Sequence, residues 1–457
     1  HADAGAVGNL RGQVVDGQQL HGGPFASPWG RPARIVALAS SAAMRNSPQG
    51  APAPHAAADA PAAAVAPSVV QVALLGVLSL ALAMGVGRFA FTPMLPLMMR
   101  DGQLDTAAGA LWAAANYAGY LAGAWTAARF GAQPLRGLRL GLAGVAATTL
   151  ALALPPPWLG SATGAALRAA SGVFSAWVLV CASSWCLAEL ARRQRSAVGA
   201  WVYTGVGLGI ALTGVLAWLG GRQPSSRLWL ELGAVAALGA GWVHRQLPAS
   251  AAGAAPGAAR AAAPVTAATP AGGTWGLVLC YAGFGFGYIV PATFLPAMAR
   301  QQAADPLVFG LTWPLFGSAA VLSVALAARF LGGWPRRRLW ACAQALMALG
   351  TALPLASRSL GALALSALFV GGTFMVTTMA GLQLARERQP DNPTPLLARL
   401  SVAFASGQIA GPLLVRTLDQ VRPWGLDALD GCHALATLVL LASAAWLARG
   451  AAASTGR

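Results

Sequence analysis

Long apolar stretches alternate with short polar breaks from Val69 to Leu447. Each stretch holds about 20 mainly apolar residues, enough for a helix to cross roughly 30 Å of hydrocarbon. Twelve helical spans can be drawn on this pattern. In the first half they cover 70–98, 107–129, 137–155, 161–189, 196–219 and 228–246. In the second they cover 274–298, 307–330, 338–356, 359–386, 395–416 and 428–448. Hydrocarbon offers no water to backbone N–H and C=O groups, so they must pair inside helices. The expected organisation is a six-helix bundle over 69–247, a second over 274–449 and a short tail over 450–457. Residues 1–68, rich in Ala, Pro, Gly and Ser without sustained periodicity, read as a disordered tail. Met44 is a candidate start of a shorter product, with a real cytoplasmic tail as the alternative. Residues 248–273 have a similar composition and read as a flexible linker between the bundles.

The two halves share a faint repeat. Residues 85–100 read GVGRFAFTPMLPLMMR and residues 285–300 read GFGYIVPATFLPAMAR. Gly85, Gly87, Leu95, Pro96, Met98 and Arg100 recur as Gly285, Gly287, Leu295, Pro296, Met298 and Arg300. The same offset relates Arg129 to Arg329, Gly172 to Gly372, Phe174 to Phe374 and Gly207 to Gly407. A parallel duplication within a membrane protein is the plan of transporters that alternate access around a site between their halves.

Composition strengthens the membrane reading. The chain is 56% hydrophobic and 9% charged, against about 25% charged in an ordinary soluble domain. Its 30 basic residues are all Arg and its net charge is +17, yet the Arg is spread among short loops. No clustered basic face on a soluble module points to nucleic acid. Arg129, Arg136 and Arg139 follow span 2, Arg192, Arg193 and Arg195 span 4, and Arg336, Arg337 and Arg338 span 8. By the positive-inside rule this places both termini and the linker in the cytoplasm. Trp158, Trp229, Trp275, Trp334 and Trp424 fall near span ends, where interface anchors are expected. Cys181, Cys186, Cys280, Cys342 and Cys432 lack metal-ligand or disulfide spacing and read as packing residues. No metal, cofactor or phosphate-binding loop is expected.

Several stretches carry a family resemblance. GVGRFAFTPMLPLM in span 1, NYAGYLAGA in span 2, GVGLGIALTG in span 5, GGTFMVTTMAGLQLAR in span 10 and SGQIAGPLL in span 11 resemble the YbfB/YjiJ-type branch of the major facilitator superfamily. The resemblance spans 69–449 and implies an all-α membrane fold of twelve helices, in two bundles related by a pseudo-two-fold axis. It implies that spans 1, 4, 7 and 10 line a central cavity. Arg168 and Gly172 match the superfamily's Arg-x-x-x-Gly pattern in span 4, often linked with proton-coupled export. One departure is Ala128, which stands where the loop after span 2 usually carries Asp, so a gating salt bridge does not transfer.

Ionisable groups inside the spans are few. An Arg at mid-membrane costs about 2.5–3.5 kcal/mol on insertion scales and should face a cavity or a partner. Arg88 and Arg168 are expected at similar depth near the transport path, where guanidinium forks would suit an anionic solute. Backbone carbonyls at broken helix ends, or snorkelling, are the alternatives. Tyr288 occupies the repeat position of Arg88 and would face it, with an aromatic packed in the core as the alternative. Thr92, Asn116, Tyr120, Thr373, Thr377 and Gln408 are further lining candidates, with interhelical hydrogen bonding as the plain alternative. Glu189 and Glu231 are the candidates for proton coupling. Gly85, Gly87, Pro93, Pro96, Gly172, Gly205, Gly207, Gly209, Gly285, Gly287, Pro296, Gly372, Gly407, Gly411 and Pro412 are expected to serve helix packing or bending.

The reading is a monomeric secondary transporter of the bacterial inner membrane. It would move a small organic solute, an organic anion among the options, by export, with protons as a coupling option. A non-transporting membrane receptor is the alternative. An enzyme is not expected, since no HExxH, GxSxG or paired Asp occurs within the spans and only His244 and His433 are membrane-associated bases.

Overall fold

Ser68 starts the first helix. Its side chain accepts from the Gln71 N–H at 3.2 Å, while Gln71 Oε1 accepts from the Ser68 N–H at 2.9 Å. This reciprocal cap satisfies donors that a helix start leaves unpaired. The computed structural model describes residues 67–154, 160–195, 198–248, 274–389, 394–421 and 427–455. The N-terminal tail with Met44, nearly all of the expected linker, and Trp158 and Trp424 lie outside the described residues.

Helix α1 runs Val69–Arg100 and contains a π-helical segment, Ala81–Phe89. It stops at Gly102, whose φ of +71° suits a residue without Cβ, and the Gln103 N–H turns back to the Met98 carbonyl at 2.9 Å. Asp105 caps α2, Thr106–Thr126, by accepting from the Ala108 N–H at 2.6 Å. Pro134 opens α3, Pro134–Ala151, where no N–H is needed. Then follow α4, Ser161–Arg192; α5, Thr204–Leu219; and α6, Ser225–Gln246. The second half holds α7, Trp275–Gln302; α8, Thr312–Phe330; α9, Arg336–Ala356; α10, Leu360–Arg388; α11, Thr394–Val421; and α12, Ala428–Thr455.

Regular structure among the described residues is entirely helical. Among the described residues, eight helices are long and apolar enough to cross a membrane, by length and composition. Helix α5, at 16 residues, is a shorter apolar one, because the expected fifth span breaks at Tyr203 after the one-turn piece Gly199–Val202.

Packing repeats with the sequence. Helix α1 packs on α4 and α5, α2 on α4, and α3 on α4 and α6; six helices later, α7 packs on α10 and α11, α8 on α10, and α9 on α10 and α12. Between the halves of the chain, α5 meets α8, α2 meets α11 and α1 meets α7.

Small residues allow these approaches. A Cβ at Gly85 would stand 2.5 Å from the Gly209 backbone, and Gly205 and Gly209 press equally on the Val77 and Ala81 carbonyls. In the second half Gly285 lies against the Phe404 carbonyl and Gly407 against that of Ala282. Gly207 faces Val321 at 2.6 Å, Gly411 faces Ile289 at 2.6 Å, and Gly287 abuts Leu440. Gly372 differs from expectation. Its nearest neighbour would be 3.9 Å from an added Cβ, and the close approach falls on Gly371, against the Phe316 carbonyl. Pro296 and Pro412 sit inside α7 and α11.

Trp275 and Trp334 are exposed as anchors would be, but Trp229 is fully buried. Its indole N–H points at Met98 Sδ at 3.3 Å, so it packs α6 on α1 instead of marking an interface. Beside it, Arg100 donates to the Gly221 and Gln223 carbonyls and, through Nε, to Asp101 at 2.7 Å. Burial pushes the Asp101 carboxyl up, but hydrogen bonds from Arg100 and from Ser225 outweigh it and hold it below the ordinary carboxylate value.

Candidate functional site

The π-segment is where α1 departs from regular geometry. The Ala90 N–H bonds to the Gly85 carbonyl five residues back, at 2.7 Å, and Pro93 offers no N–H to the turn behind it. Helix α4 supplies donors to this region. Arg168 Nη1 donates to the Gly87 carbonyl at 3.0 Å and Nη2 to that of Arg88 at 2.9 Å. Ser171 Oγ donates to Gly87 at 2.7 Å, and Ser175 Oγ to Ala83 at 2.8 Å. Asn116 of α2 donates to the Arg168 carbonyl at 2.9 Å and approaches that of Gly87 at 3.5 Å. A Cβ on Gly87 would meet Ser175 Oγ at 2.5 Å, and one on Gly172 would strike the Asn116 carbonyl. Arg168, expected as an anion receptor, therefore spends both terminal nitrogens on backbone.

Arg88 is engaged differently. It is buried, and Nη2 donates to Gln408 Oε1 of α11 at 2.5 Å. Gln408 Nε2 in turn donates to the Tyr288 hydroxyl of α7. The two residues at one repeat position thus meet on a single amide. The Arg88 guanidinium stacks on Tyr120 at 4.0 Å and lies 5.2 Å from the Phe89 ring and 5.4 Å from that of Tyr117. Desolvated cation–π contacts of this kind contribute about 2 kcal/mol or more. Among the described residues no carboxylate lies within ion-pair distance of Arg88 or Arg168. The Nε atoms of both are buried without a partner.

The other candidates are dispersed. Thr92 is buried one turn beyond Arg88. Thr373 Oγ1 is spent on its own helix, donating to the Phe369 carbonyl at 2.6 Å, whereas Thr377 Oγ1 is buried and unpartnered. Glu189 is bound by Arg193 at 2.6 Å and Arg192 at 2.9 Å, about 30 Å along α4 from Arg168. Glu231 is half-exposed and pairs with Arg227 at 3.3 Å. His433 is buried with Nδ1 at 2.8 Å from the Leu429 carbonyl.

Two participants lay outside the expected set. Ser171 and Ser175 follow Arg168 at helical spacing on one face of α4, a signal present in the sequence. Tyr117 reaches across to Thr293, hydroxyl to hydroxyl, at 3.2 Å.

Arg168→Leu is expected to strand the Arg88 carbonyl, at about 1–3 kcal/mol, and to leave Ser171 as the main donor on that of Gly87. The thermal midpoint should fall, with Arg168→Lys intermediate because an ammonium does not fork onto both. A midpoint equal to the parent's in Arg168→Leu would remove the clamp role.

The same helical arrangement occurs in solved transporters. The D-xylose–proton symporter aligns at a TM-score of 0.61 and 15% identity, covering 83% of this chain and 96% of that one. The human organic anion transporter MFSD10 (TETRAN) aligns at 0.59 and 18% identity, covering 84% and 100%. The nucleoside transporter NupG aligns at 0.64 and 13% identity, covering 83% and 98%. At these identities the shared property is the fold. No curated protein sequence matches the chain. The family model described as "Uncharacterised MFS-type transporter YbfB" matches residues 80–453. A multi-pass helical membrane chain matched over most of its length by that model belongs to the YbfB-type family of major facilitator transporters, and is a transporter, not an enzyme.

Proposed function

We propose that the chain is a secondary transporter of a small organic anion, and that Arg88 receives the anionic group. One observation carries this: a buried guanidinium with an unpartnered nitrogen, no acidic partner among the described residues, and a neutral amide from the other half of the chain in its grip. The Gln408 amide oxygen stands where a solute carboxylate oxygen would sit. Solute binding is then an exchange, in which the anion takes Arg88 and Gln408 is released from it. Because that bond joins α1 to α11, the exchange also cuts a tie between the halves.

Further ties support a rocking mechanism of two six-helix bundles about a pseudo-two-fold axis. Near the Arg100 end of α1, Trp218 Nε1 donates to the Leu307 carbonyl at 2.8 Å and Arg222 pairs with Asp305 at 3.4 Å. The arginine-rich loops lie at the opposite end, which supports both termini in the cytoplasm and an outward-facing closure. The bacterial inner membrane and a monomer fit this reading.

Gln408→Glu tests it. An internal carboxylate on Arg88 would compete with any solute at very high effective concentration. The variant should remain folded, with a thermal midpoint at or above the parent's, and should lose at least about tenfold in affinity for organic anions. Unchanged affinity in binding titrations would eliminate the exchange.

A further inference from the structure

We infer, resting on the reading of Arg88 as an anion receptor, that the solute is a planar aromatic carboxylate. The second half of the chain presents a file of near-parallel rings. Trp313 stacks on Phe316 at 4.8 Å and 16°, and Phe316 on Phe374 at 5.6 Å and 29°. Phe374 stacks on Tyr288 at 5.5 Å and 8°, and Tyr288 on Phe404 at 5.6 Å and 4°. Four helices contribute these rings: α8, α10, α7 and α11. Other aromatic pairs are edge-on, as at Phe130–Trp177 (70°), Phe174–Trp177 (80°) and Tyr281–Trp340 (88°), and one more stacked pair, Phe91–Trp112 at 29°, stands apart from the file. The continuous run of stacked rings is the one that contains Tyr288, the ring bonded to Gln408.

That file and the cation are physically joined. Tyr288 lies within the file and its hydroxyl holds Gln408, which holds Arg88. Phe89, next to Arg88, meets Trp313 at the other end of the file at 6.4 Å. Buried polar groups are normally bonded, and those left over deserve a reason. Here Trp313 Nε1 and Thr377 Oγ1, one turn from Phe374, are buried without partners, as is Arg88 Nε. Releasing Gln408 frees the guanidinium next to Phe89, whose ring meets the Trp313 end of the file. A solute with a carboxylate on a flat ring satisfies both features. An aliphatic acid satisfies the charge alone, and a neutral aromatic the rings alone. One offset-stacked ring pair shifts affinity by about two- to tenfold.

The full-length purified protein should be titrated with benzoate, cyclohexanecarboxylate and benzamide, reading tryptophan fluorescence and calorimetry. Benzoate should bind at least about threefold tighter than cyclohexanecarboxylate and about tenfold tighter than benzamide. Phe374→Leu should collapse the first ratio towards one. Equal binding of the two acids, both tighter than benzamide, would overturn the aromatic assignment and leave the anion reading intact. Benzamide binding as tightly as benzoate would overturn the anion reading itself. Binding of none of the three would overturn the assignment in parent protein alone, whatever the fate of the variant.

Discussion

Arg88→Gln is expected to lower solute transport by about 100-fold or more while leaving the protein folded in the membrane. A hydrogen bond to a charged group contributes about 1.5–3 kcal/mol, and a bidentate carboxylate would lose two of them. The change does not create a hole. Gln retains donors for Gln408 and removes a buried cation that has no counter-charge, so the thermal midpoint should hold or rise. Arg88→Lys should fail almost as badly, because an ammonium lacks both the planar fork and the flat stacking on Tyr120. Counterflow in proteoliposomes, paired with size-exclusion of the solubilised protein, separates lost recognition from lost fold. Wild-type counterflow in Arg88→Gln would end the proposal.

Gly172→Val should fail for a different reason. An added Cβ would strike the Asn116 carbonyl and stand 2.7 Å from the Tyr120 nitrogen, atoms of a helix backbone that do not rotate aside. Helices α2 and α4 would have to separate. Overpacking of this kind costs about 1–3 kcal/mol or more. It would also move Asn116 and Tyr120 away from Arg168 and Arg88, so surviving protein should bind solute poorly. Gly372→Ala is the internal control, since its added methyl meets nothing nearer than 3.9 Å. A drop of several degrees in the first variant and little change in the second would be seen by thermal unfolding. Equal midpoints would contradict the packing described for α2 on α4.

Much of this architecture can be read from the chain because hydrocarbon imposes a coarse rule. Apolar runs become helices, and a duplicated sequence becomes duplicated packing. Arg88 and Arg168 stood out because charge is costly inside a membrane, and rarity made them informative. Their division of labour did not stand out. Whether a buried Arg clamps backbone or waits for a ligand depends on which carbonyls the local helix leaves free, and nothing in GVGRF states that this segment widens. Gln408 and Arg88 are 320 positions apart, so only the docking of α11 on α2 and α7 on α1 brings them together. Trp229 lies near a span end in the sequence, but α6 leans on α1 there and buries it. Gly371 and Gly372 are indistinguishable in sequence, and the rotation of α10 decides which one is pressed.

The widened turns of α1 also set a phase. A π-segment holds more residues per turn than the helix on either side, commonly the trace of a single inserted amino acid. Taking one residue out of Ala81–Phe89 would let the stretch relax to ordinary pitch. Everything beyond it would then swing by about 100° relative to Val69–Leu80. The guanidinium would leave its amide, and the carbonyls held by Arg168 would find their own N–H groups. In most loops the count of amino acids is loosely policed; within these nine it acts as a gear tooth.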